Sequence, residues 1–396
     1  MMGNMGDYMK NVLIVGGNSG IGRSIAIKLL QQGTNHIYIV DRSKSKNDGL
    51  SNDVLDLLNE RTSEIIVNLN NEEYDCFSQF KDIDALIITA GFGRLSRFED
   101  LSECEISNLI KCNELAPIRI IKKFYDRIHS MHPFFCAVMV SISGHLVSPY
   151  YSVYGAAKSG IAMFLENINV ELAAQGYDNR ILDCSPGHIE GTAFENGAND
   201  YKKTEDLASD IIKEMLARNT LFIPKYNEVF REVINQYRTN PFDYGLYSYR
   251  YKEKNRIIKS KPQCVVGYLS GTFDLFHIGH LNLLRNAKNH CDYLIVGVHK
   301  SGAWKGKETY ISLQERKAIV AACKYVDRVV DSCEEDSDAW SIWHYDKLIV
   351  GSDYKGSDRF NRYELFFADK DVEIIYLPYT KTTSSTQLRK AIEEKI

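Results

Sequence analysis

Two pairs of residues in this chain of 396 residues have types and spacings that suit catalysis. Tyr154 and Lys158 are four residues apart, so on a helix they would share one face. A phenol with a pKa of about 10 is a poor acid–base group at neutral pH, and a neighbouring ammonium favours its phenolate form. His277 and His280 are three residues apart, and two imidazoles at the start of a helix can donate hydrogen bonds to phosphates. The chain therefore offers a proton-transfer pair and, further along, a phosphate-binding pair.

A glycine-rich stretch precedes the first pair. Residues 16–22 read Gly-Gly-Asn-Ser-Gly-Ile-Gly and follow an apolar run that ends at Val15. A turn of this kind between a strand and a helix lets the backbone approach a pyrophosphate. Asp41 ends the next apolar run, where a carboxylate can accept hydrogen bonds from ribose hydroxyls. Asp41 favours NAD(H), whereas Arg42 beside it could accept a 2′-phosphate, so NADP(H) remains an alternative.

Residues 11–235 resemble the short-chain dehydrogenase/reductase family. The family's features occur in their usual order at Gly16–Gly22, Thr89–Gly91, Asn113, Ser141, Tyr154, Lys158 and Pro186–Gly187. The resemblance implies a cofactor site formed by Gly16, Asn18, Ser19, Gly20, Ile21, Gly22, Asp41, Arg42, Ala90, Gly91, Pro186 and Gly187.

The same resemblance implies a division of labour in catalysis. Tyr154 would protonate the nascent alkoxide, Lys158 would bind the nicotinamide ribose and tune Tyr154, and Asn113 would hold a water in the proton relay. The catalytic serine is predicted to be Ser141, which lies at the family's spacing of 13 residues before Tyr154, rather than Ser143.

The histidine pair follows Gly271-Thr272-Phe273-Asp274, and Gly279 between the histidines removes a side chain where a nucleotide must come close. The competing interpretation is a metal-binding pair. It lacks a third histidine or cysteine ligand nearby, so no metal site is predicted.

Residues 264–396 resemble the cytidylyltransferase family typified by glycerol-3-phosphate cytidylyltransferase. The resemblance rests on the histidine pair and on the stretches 304–307 (Trp-Lys-Gly-Lys), 314–317, 325–327, 351–354 and 384–386. It implies that phosphates are contacted by His277, His280, Lys305 or Lys307, Ser385 and Thr386, with Ser384 in the same nucleotide-binding segment. Thr272, Phe273 and Asp274 would line the nucleotide site, and Arg316 and Asp353 would position CTP or the acceptor. The family's arginine before the last stretch is replaced by Tyr379, so Lys381 is a candidate for that charge.

Short apolar runs alternate with amphipathic stretches on both sides of residue 260, which predicts two α/β domains built on doubly wound parallel sheets. These are a Rossmann-fold reductase domain over 1–240, a linker over 241–261 and a smaller Rossmann-like nucleotidyltransferase domain over 262–396. Residues 226–260 are expected to form a helix followed by irregular linker. The predicted strands are 12–15, 36–40, 65–67, 85–89, 137–141, 181–185 and 265–268, 293–298, 328–330, 347–350, 373–376, with 220–223 as a further edge strand.

Bulk properties exclude several function classes. A formal charge of −4 gives no reason to expect nucleic acid or an anionic membrane as a partner. No stretch approaches the roughly 18 apolar residues of a membrane span, and the N-terminus lacks the apolar core of a signal peptide. The nine cysteines include no C-x-x-C pair and suggest a reducing compartment. We therefore expect a cytoplasmic enzyme.

Together the two resemblances imply a bifunctional enzyme. It would reduce a keto-sugar phosphate and then transfer CMP from CTP, with Mg²⁺, to the resulting alditol phosphate. The product would be a CDP-alditol of the CDP-ribitol or CDP-glycerol type, for bacterial surface polysaccharide. Two alternatives remain open: the reductase acts on a separate substrate, or the N-terminal domain is a non-catalytic dimerisation domain. A homo-oligomer through the reductase half is expected.

Overall fold

The computed structural model describes residues 8–45, 49–192, 194, 199–255, 264–301, 308–378 and 387–388. The chain divides into two compact units, Met1–Pro262 and Gln263–Ile396. Each is a parallel α/β domain, as the alternation of apolar runs predicts.

The first unit contains a seven-stranded sheet in the order β3-β2-β1-β4-β5-β6-β7, with every neighbouring pair parallel. The strands are β1 (Asn11–Val15), β2 (His36–Asp41), β3 (Thr62–Ile66), β4 (Ala85–Ile88), β5 (Phe135–Met139), β6 (Ile181–Cys184) and β7 (Leu221–Phe222). Its described helices are α1 (Gly20–Gln31), α2 (Asn52–Arg61), α3 (Glu103–Ile110), α4 (Ala116–Lys123), α5 (Tyr125–Ile128), α6 (Ser152–Ala174), α7 (Tyr201–Leu216), α8 (Arg231–Thr239) and α9 (Pro241–Lys254).

Continuous apolar strands arise because helices cover both faces of this sheet. Leu13 and Val15 of β1 pack on the face covered by α4 and α6. Val12 and Ile14 point the other way, toward α1 and α7. All four side chains are at most 1% exposed. The strand order reverses between β1 and β4, which opens a crevice at the carboxyl edge of the sheet.

The second unit contains a five-stranded parallel sheet in the order β10-β9-β8-β11-β12. Its strands are β8 (Val266–Gly271), β9 (Tyr293–Val298), β10 (Arg328–Asp331), β11 (Lys347–Gly351) and β12 (Glu373–Leu377), and its described helices are α10 (Ile278–Lys288), α11 (Leu313–Ala321), α12 (Asp336–Trp343) and α13 (Asp358–Phe367). Two apolar clusters pack on opposite faces, around Leu269 on one side and Tyr268 on the other.

The predicted strands are confirmed, with shifts at their ends. β3 begins three residues before the predicted stretch, and β5 begins and ends two residues early, so that Ser141 lies in the loop beyond it. Residues 220–223 contribute the short strand β7 at the edge of the first sheet, as expected.

The segment after residue 240 differs from the prediction, because α9 occupies most of the stretch expected to be irregular. Pro241 occupies the first turn of α9, where its missing N–H costs nothing. The Asn240 side chain caps this helix by accepting a hydrogen bond from the Asp243 N–H at 3.1 Å. Gly245 lies inside the helix, where its missing side chain lets α9 pack closely on Val147. A Cβ at this position would lie 3.2 Å from the Val147 side chain. None of the helices among the described residues is long and apolar enough to span a bilayer.

Candidate active sites

The glycine-rich turn of the first unit is held by backbone contacts that leave no room for side chains. A Cβ at Gly16, whose φ is +91°, would lie 2.5 Å from the Ala90 nitrogen. A Cβ at Gly22 would lie 2.2 Å from the Gly16 carbonyl oxygen. Strand β1, helix α1 and the loop after β4 therefore meet backbone to backbone, and the start of α1 faces the crevice. This cradle fits a pyrophosphate, which the N–H groups at a helix start can bind.

Asp41 lies at the end of β2 beside this turn. Its Oδ2 accepts a hydrogen bond from the Asn18 N–H at 3.0 Å, and the Asn18 amide donates to the Ser43 carbonyl at 2.7 Å. The half-buried carboxylate is thus fixed where an adenine ribose would lie, whereas Arg42 is exposed. In this position, Asp41 can accept a hydrogen bond from a ribose hydroxyl.

The other predicted cofactor residues border the same crevice. Ser19 caps α1 in an extended conformation without a side-chain hydrogen bond, and Ile21 is half-buried. The Gly20 N–H donates to Asn199 Oδ1 at 3.1 Å, a contact that the sequence did not suggest. The Pro186 carbonyl accepts from the Ile142 N–H at 2.9 Å.

Loop positions close the cradle on its other sides. Ala90 donates its N–H to the Val15 carbonyl at 2.9 Å, which ties the loop after β4 to the end of β1. Gly187 packs so tightly on Phe230 that a Cβ would come within 2.6 Å of its ring.

Tyr154 is buried at the start of α6, and Ser141 reaches it from the loop after β5. Ser141 is the serine whose hydroxyl acts on the Tyr154 phenol, and the Ser143 N–H donates to Ser141 Oγ at 3.2 Å. The choice of Ser141 as the catalytic serine stays a prediction. Burial raises the pKa of Tyr154 to about 12, and the hydrogen bond with Ser141 opposes that rise. Desolvation is the largest cause of this shift, and the tuning of Tyr154 by Lys158 stays a prediction. Tyr154 is held as a neutral phenol, the form that can donate a proton.

Lys158 and Asn113 converge on Gly91. A Cβ at Gly91 would lie 2.8 Å from Asn113 Oδ1 and 3.4 Å from Lys158 Nζ. Lys158 donates to the Met139 carbonyl at 2.8 Å, and burial lowers its pKa to about 8. Asn113 Oδ1 is buried and accepts no hydrogen bond from the described residues. An orphaned acceptor beside an ammonium is suited to bind a polar ligand or water.

The backbone at Asn113 departs from an α-helix for a reason visible in the sequence. Residues 111–115 form a π-helical turn between α3 and α4, and the residue four positions after Asn113 is Pro117. Proline has no N–H to donate to the Asn113 carbonyl, and its ring clashes with a carbonyl at that position. The turn carries Asn113 into the site while its amide nitrogen donates to the Phe92 and Leu109 carbonyls at 2.8 and 3.0 Å.

Two aromatic side chains lie next to Tyr154. The Phe194 ring lies 5.8 Å from that of Tyr154 and packs on Gly93, and the Tyr151 ring lies 5.3 Å away. The Lys252 ammonium of α9 lies 5.2 Å from the centre of the Tyr151 ring and donates to Ser148 Oγ at 2.8 Å. Helix α9 is thus part of the surroundings of this site.

In the second unit, His277 caps α10 and His280 follows one turn later. His277 Nδ1 accepts from the Gly279 N–H at 3.0 Å, and His280 Nδ1 accepts from the His277 N–H at 3.4 Å. An Nδ1 that accepts places the proton of a neutral imidazole on Nε2, so both rings have Nε2–H as their donor. The rings lie 4.0 Å apart, and burial lowers the pKa of His277. This pair of imidazoles at a helix N-terminus is suited to phosphate.

Two predicted ligand-positioning residues instead build the loops of this site. Arg316 is fully buried, and its guanidinium donates to the backbone carbonyls of Thr272, His299, Lys300 and Ile311. The carboxylate of Asp274 accepts from the N–H groups of Tyr310 and Ile311 at 3.1 and 3.0 Å. These contacts fix the backbone, so the structure favours a positioning role over direct ligand contact for both.

The remaining predicted residues fall into two groups. Phe273 is buried in the core with a φ of +52°, Thr272 contributes its carbonyl to Arg316, and Asp353 is exposed after β11 with its carboxylate against Gly351. Trp304, Lys305, Lys307, Tyr379, Lys381, Ser384, Ser385 and Thr386 lie outside the described residues. Among the described positions, no three or more His, Cys, Asp and Glu residues are grouped as a metal site.

Comparisons with known proteins match each unit separately. The short chain dehydrogenase family model matches residues 10–203, and the cytidylyltransferase-like model matches residues 268–391. A glycerol-3-phosphate cytidylyltransferase of Bacillus spizizenii is 37% identical over 124 residues, which cover 30% of this chain and 91% of that protein. An uncharacterized oxidoreductase of Saccharomyces cerevisiae is 27% identical over 188 residues, 46% of this chain and 56% of that protein. A short-chain dehydrogenase structure from Streptomyces avermitilis has 19% identity and a TM-score of 0.49, covering 63% of this chain and 98% of that one.

The position of Asp41 predicts how the first site chooses between cofactors. Asp41→Ala should weaken NADH binding about tenfold or more, or about 1.4 kcal/mol, because a charged hydrogen-bond acceptor is lost. NADPH binding should weaken less, since the carboxylate would repel its 2′-phosphate. Fluorescence titration with both cofactors measures the difference. Asp41→Asn is the control, because an amide oxygen can still accept from Asn18; equal losses for both cofactors would show that Asp41 does not read the ribose.

Proposed function

Since the chain belongs to the short-chain dehydrogenase family over its N-terminal domain and to the cytidylyltransferase-like family over its C-terminal domain, we propose a bifunctional enzyme that makes a CDP-alditol. The first site reduces a keto-sugar phosphate to an alditol phosphate. The second transfers CMP from CTP to that phosphate. The observation that carries the proposal is the presence in one chain of the buried Tyr154 and Lys158, with the half-buried Ser141 beside them, and a His277–His280 pair at a helix N-terminus.

The reductase residues divide the work of carbonyl reduction. The nicotinamide cofactor, NAD(H) by preference because of Asp41, supplies a hydride when bound. Tyr154 donates its phenolic proton to the carbonyl oxygen as charge develops there, and Ser141 orients that oxygen. Lys158 holds the nicotinamide ribose and stabilises the phenolate that remains, and Asn113 holds the water that restores the proton.

The transferase residues act on phosphate. An oxygen of the alditol phosphate attacks the α-phosphorus of CTP, the bond to the β-phosphate breaks, and pyrophosphate leaves. His277 and His280 donate from Nε2 to phosphate oxygens, where they stabilise the charge of the pentacoordinate transition state. We expect Mg²⁺ to neutralise the triphosphate, held largely by phosphate oxygens and water.

An alditol phosphate is the compound that links the two chemistries. A carbonyl reductase produces an alcohol, and a cytidylyltransferase of this family needs an acceptor that bears a phosphate. CDP-ribitol and CDP-glycerol are products of this type and would serve bacterial surface polysaccharides. Such an enzyme would work in the cytoplasm, where NADH and CTP are available. The exposed Met163 and Val170 on α6 support association through the reductase domain.

A panel of ketose phosphates tests the two-step proposal directly. Purified protein should oxidise NADH with one of ribulose 5-phosphate, dihydroxyacetone phosphate or fructose 6-phosphate, and CTP with Mg²⁺ should then give the CDP-alditol by mass spectrometry. The unphosphorylated ketoses are the matched controls. Reduction of a ketose that yields no CDP-product would mean that the two sites serve separate substrates, and no NADH oxidation with any ketose would favour a non-catalytic N-terminal domain.

Replacing Tyr154 should separate the two activities. Tyr154→Phe should lower kcat for carbonyl reduction by about 10²-fold or more, because the proton donor is lost, while CMP transfer stays intact. Tyr151→Phe is the control, because its ring lies 5.3 Å from that of Tyr154, and this variant should retain the kcat for carbonyl reduction. Steady-state kinetics of both reactions provide the measurement, and reduction by Tyr154→Phe within tenfold of the wild type would refute its role.

His280 provides the corresponding test in the second domain. His280→Ala should lower kcat for CMP transfer by about 10²-fold or more while CTP still binds, because a donor to the transition state is lost. His290→Ala, at an exposed position just after α10, should leave transfer unchanged. Transfer should also persist in Mg²⁺ with a zinc-selective chelator. Zinc dependence, or full activity of His280→Ala, would overturn the phosphate-binding role of the histidine pair.

A further inference from the structure

A carboxylate is buried beneath the reductase site, where neither the glycine turn nor the catalytic residues explain it. Asp183 lies on β6 and is 5% exposed. Leu182 and Cys184 pack on the face of α1 and α7, and Ile181 packs on the face of α6. Alternation along a strand therefore directs Asp183 toward the α6 face. A charge in such a position is costly unless polar partners compensate it.

The partners of Asp183 connect it to the loop that carries Ser141. Ser185 Oγ donates to Asp183 Oδ1 at 2.6 Å. His145 Nε2 lies 3.1 Å from Asp183 Oδ2 and 2.9 Å from Ser185 Oγ. The same loop is tied to the chain after β6 by the hydrogen bond from Ile142 to the Pro186 carbonyl. Hydrogen bonds from Ile142 and His145 thus attach the loop of residues 141–145 to β6 and to the residues that follow it.

The Lys158 ammonium lies beside the same pair of strands, because it donates to the Met139 carbonyl of β5 at 2.8 Å and the neighbouring Val138 pairs with Asp183 in the sheet. Burial lowers the pKa of Lys158, and Cys112 and, to a smaller extent, Asp183 raise it. The other titratable or charged groups on elements packed around Lys158 are Tyr154 on its own helix, Cys112 and Glu114 in the π-helical turn, and His145 in the loop after β5. Two groups raise the pKa of Lys158, the thiol of Cys112 and the carboxylate of Asp183.

We propose that Asp183 and His145 are positioning residues of the reductase site, which hold the Ser141 loop against β6 and place a negative charge opposite the Lys158 ammonium. This inference rests on the proposed reductase function. Neither residue touches the reacting carbonyl. His145 acts through Ser141, and Asp183 acts through both His145 and Lys158.

The proposed role of Asp183 predicts the direction in which the pH profile of reduction shifts when its charge is removed. Reduction needs the charged form of Lys158, so activity is lost as pH rises through its pKa. Removing the Asp183 charge lowers that pKa further, because burial is then less opposed. Asp183→Asn keeps hydrogen-bonding atoms for Ser185 and His145 and should move the alkaline limb of kcat to lower pH by about half a unit or more. The pH dependence of NADH binding, followed by fluorescence, should move in the same direction.

The loop role is tested at His145. His145→Ala should lower kcat for reduction about tenfold through misplacement of Ser141, and His145→Gln, which keeps a donor, should restore most of it. Neither variant should move the alkaline limb as Asp183→Asn does. CMP transfer by the same chain serves as the internal control, because its residues lie in the other domain.

The outcomes separate this inference from the proposed function. An alkaline limb and an NADH-binding profile that are unchanged in Asp183→Asn would overturn the charge role, and full activity of His145→Ala would overturn the loop role. If Asp183→Asn does not fold, the two His145 variants decide whether this group positions Ser141. If the wild-type protein reduces no ketose, the proposed function fails, while the NADH-binding profile still tests whether Asp183 acts on Lys158.

Discussion

The close approach of three backbone segments at the carboxyl edge of the first sheet determines where every part of the reductase site lies. Gly16, Gly22 and Ala90 come so near one another that a single added carbon would displace α1 or the loop after β4. The same loop continues to Gly91, against which Asn113 and Lys158 pack. A shift in the glycine-rich turn would therefore be transmitted to Lys158. Glycine serves here because it has no side chain, and at Gly16 also because it accepts a positive φ without strain.

Burial sets the protonation states on which proton transfer depends. Tyr154 and Lys158 are 6% and 3% exposed, so each is driven toward its neutral form. The shifts differ in consequence: a phenol with a pKa of about 12 is fully protonated at pH 7, and an ammonium with a pKa of about 8 is still mostly charged. The resting site therefore combines a neutral acid with a cation. In the proposed reduction, Lys158 would stabilise the phenolate as it forms, because a buried negative charge would have few other partners.

Sequence patterns predicted the features that depend on residues close together in the chain. Apolar runs located the strands because strands covered on both faces need them, and the spacing of Tyr154 and Lys158 placed both on one face of α6. Contacts between distant positions had no comparable signal: Asn199 meets Gly20, and His145 meets Asp183, only because the fold brings them together. Arg316 illustrates the same point. The family resemblance assigns it to the nucleotide site, which stays a prediction, and the backbone carbonyls that it binds became apparent only in the folded loop.

The two domains place a helix N-terminus after their first strand, and the N-cap residue distinguishes the chemistry that each can support. Ser19 makes no side-chain cap bond, so its side chain does not occupy the N–H groups of the first turn of α1, which suits binding of a diphosphate that does not react. His277 caps α10 through Nδ1, and this bond orients its ring and fixes Nε2 as the donor. His280 is oriented in the same way by the His277 N–H. The cap thus holds two donors in fixed orientations. In the proposed transfer they would not need to reorient as charge develops on the phosphate, and such fixed donors stabilise a transition state more than the ground state.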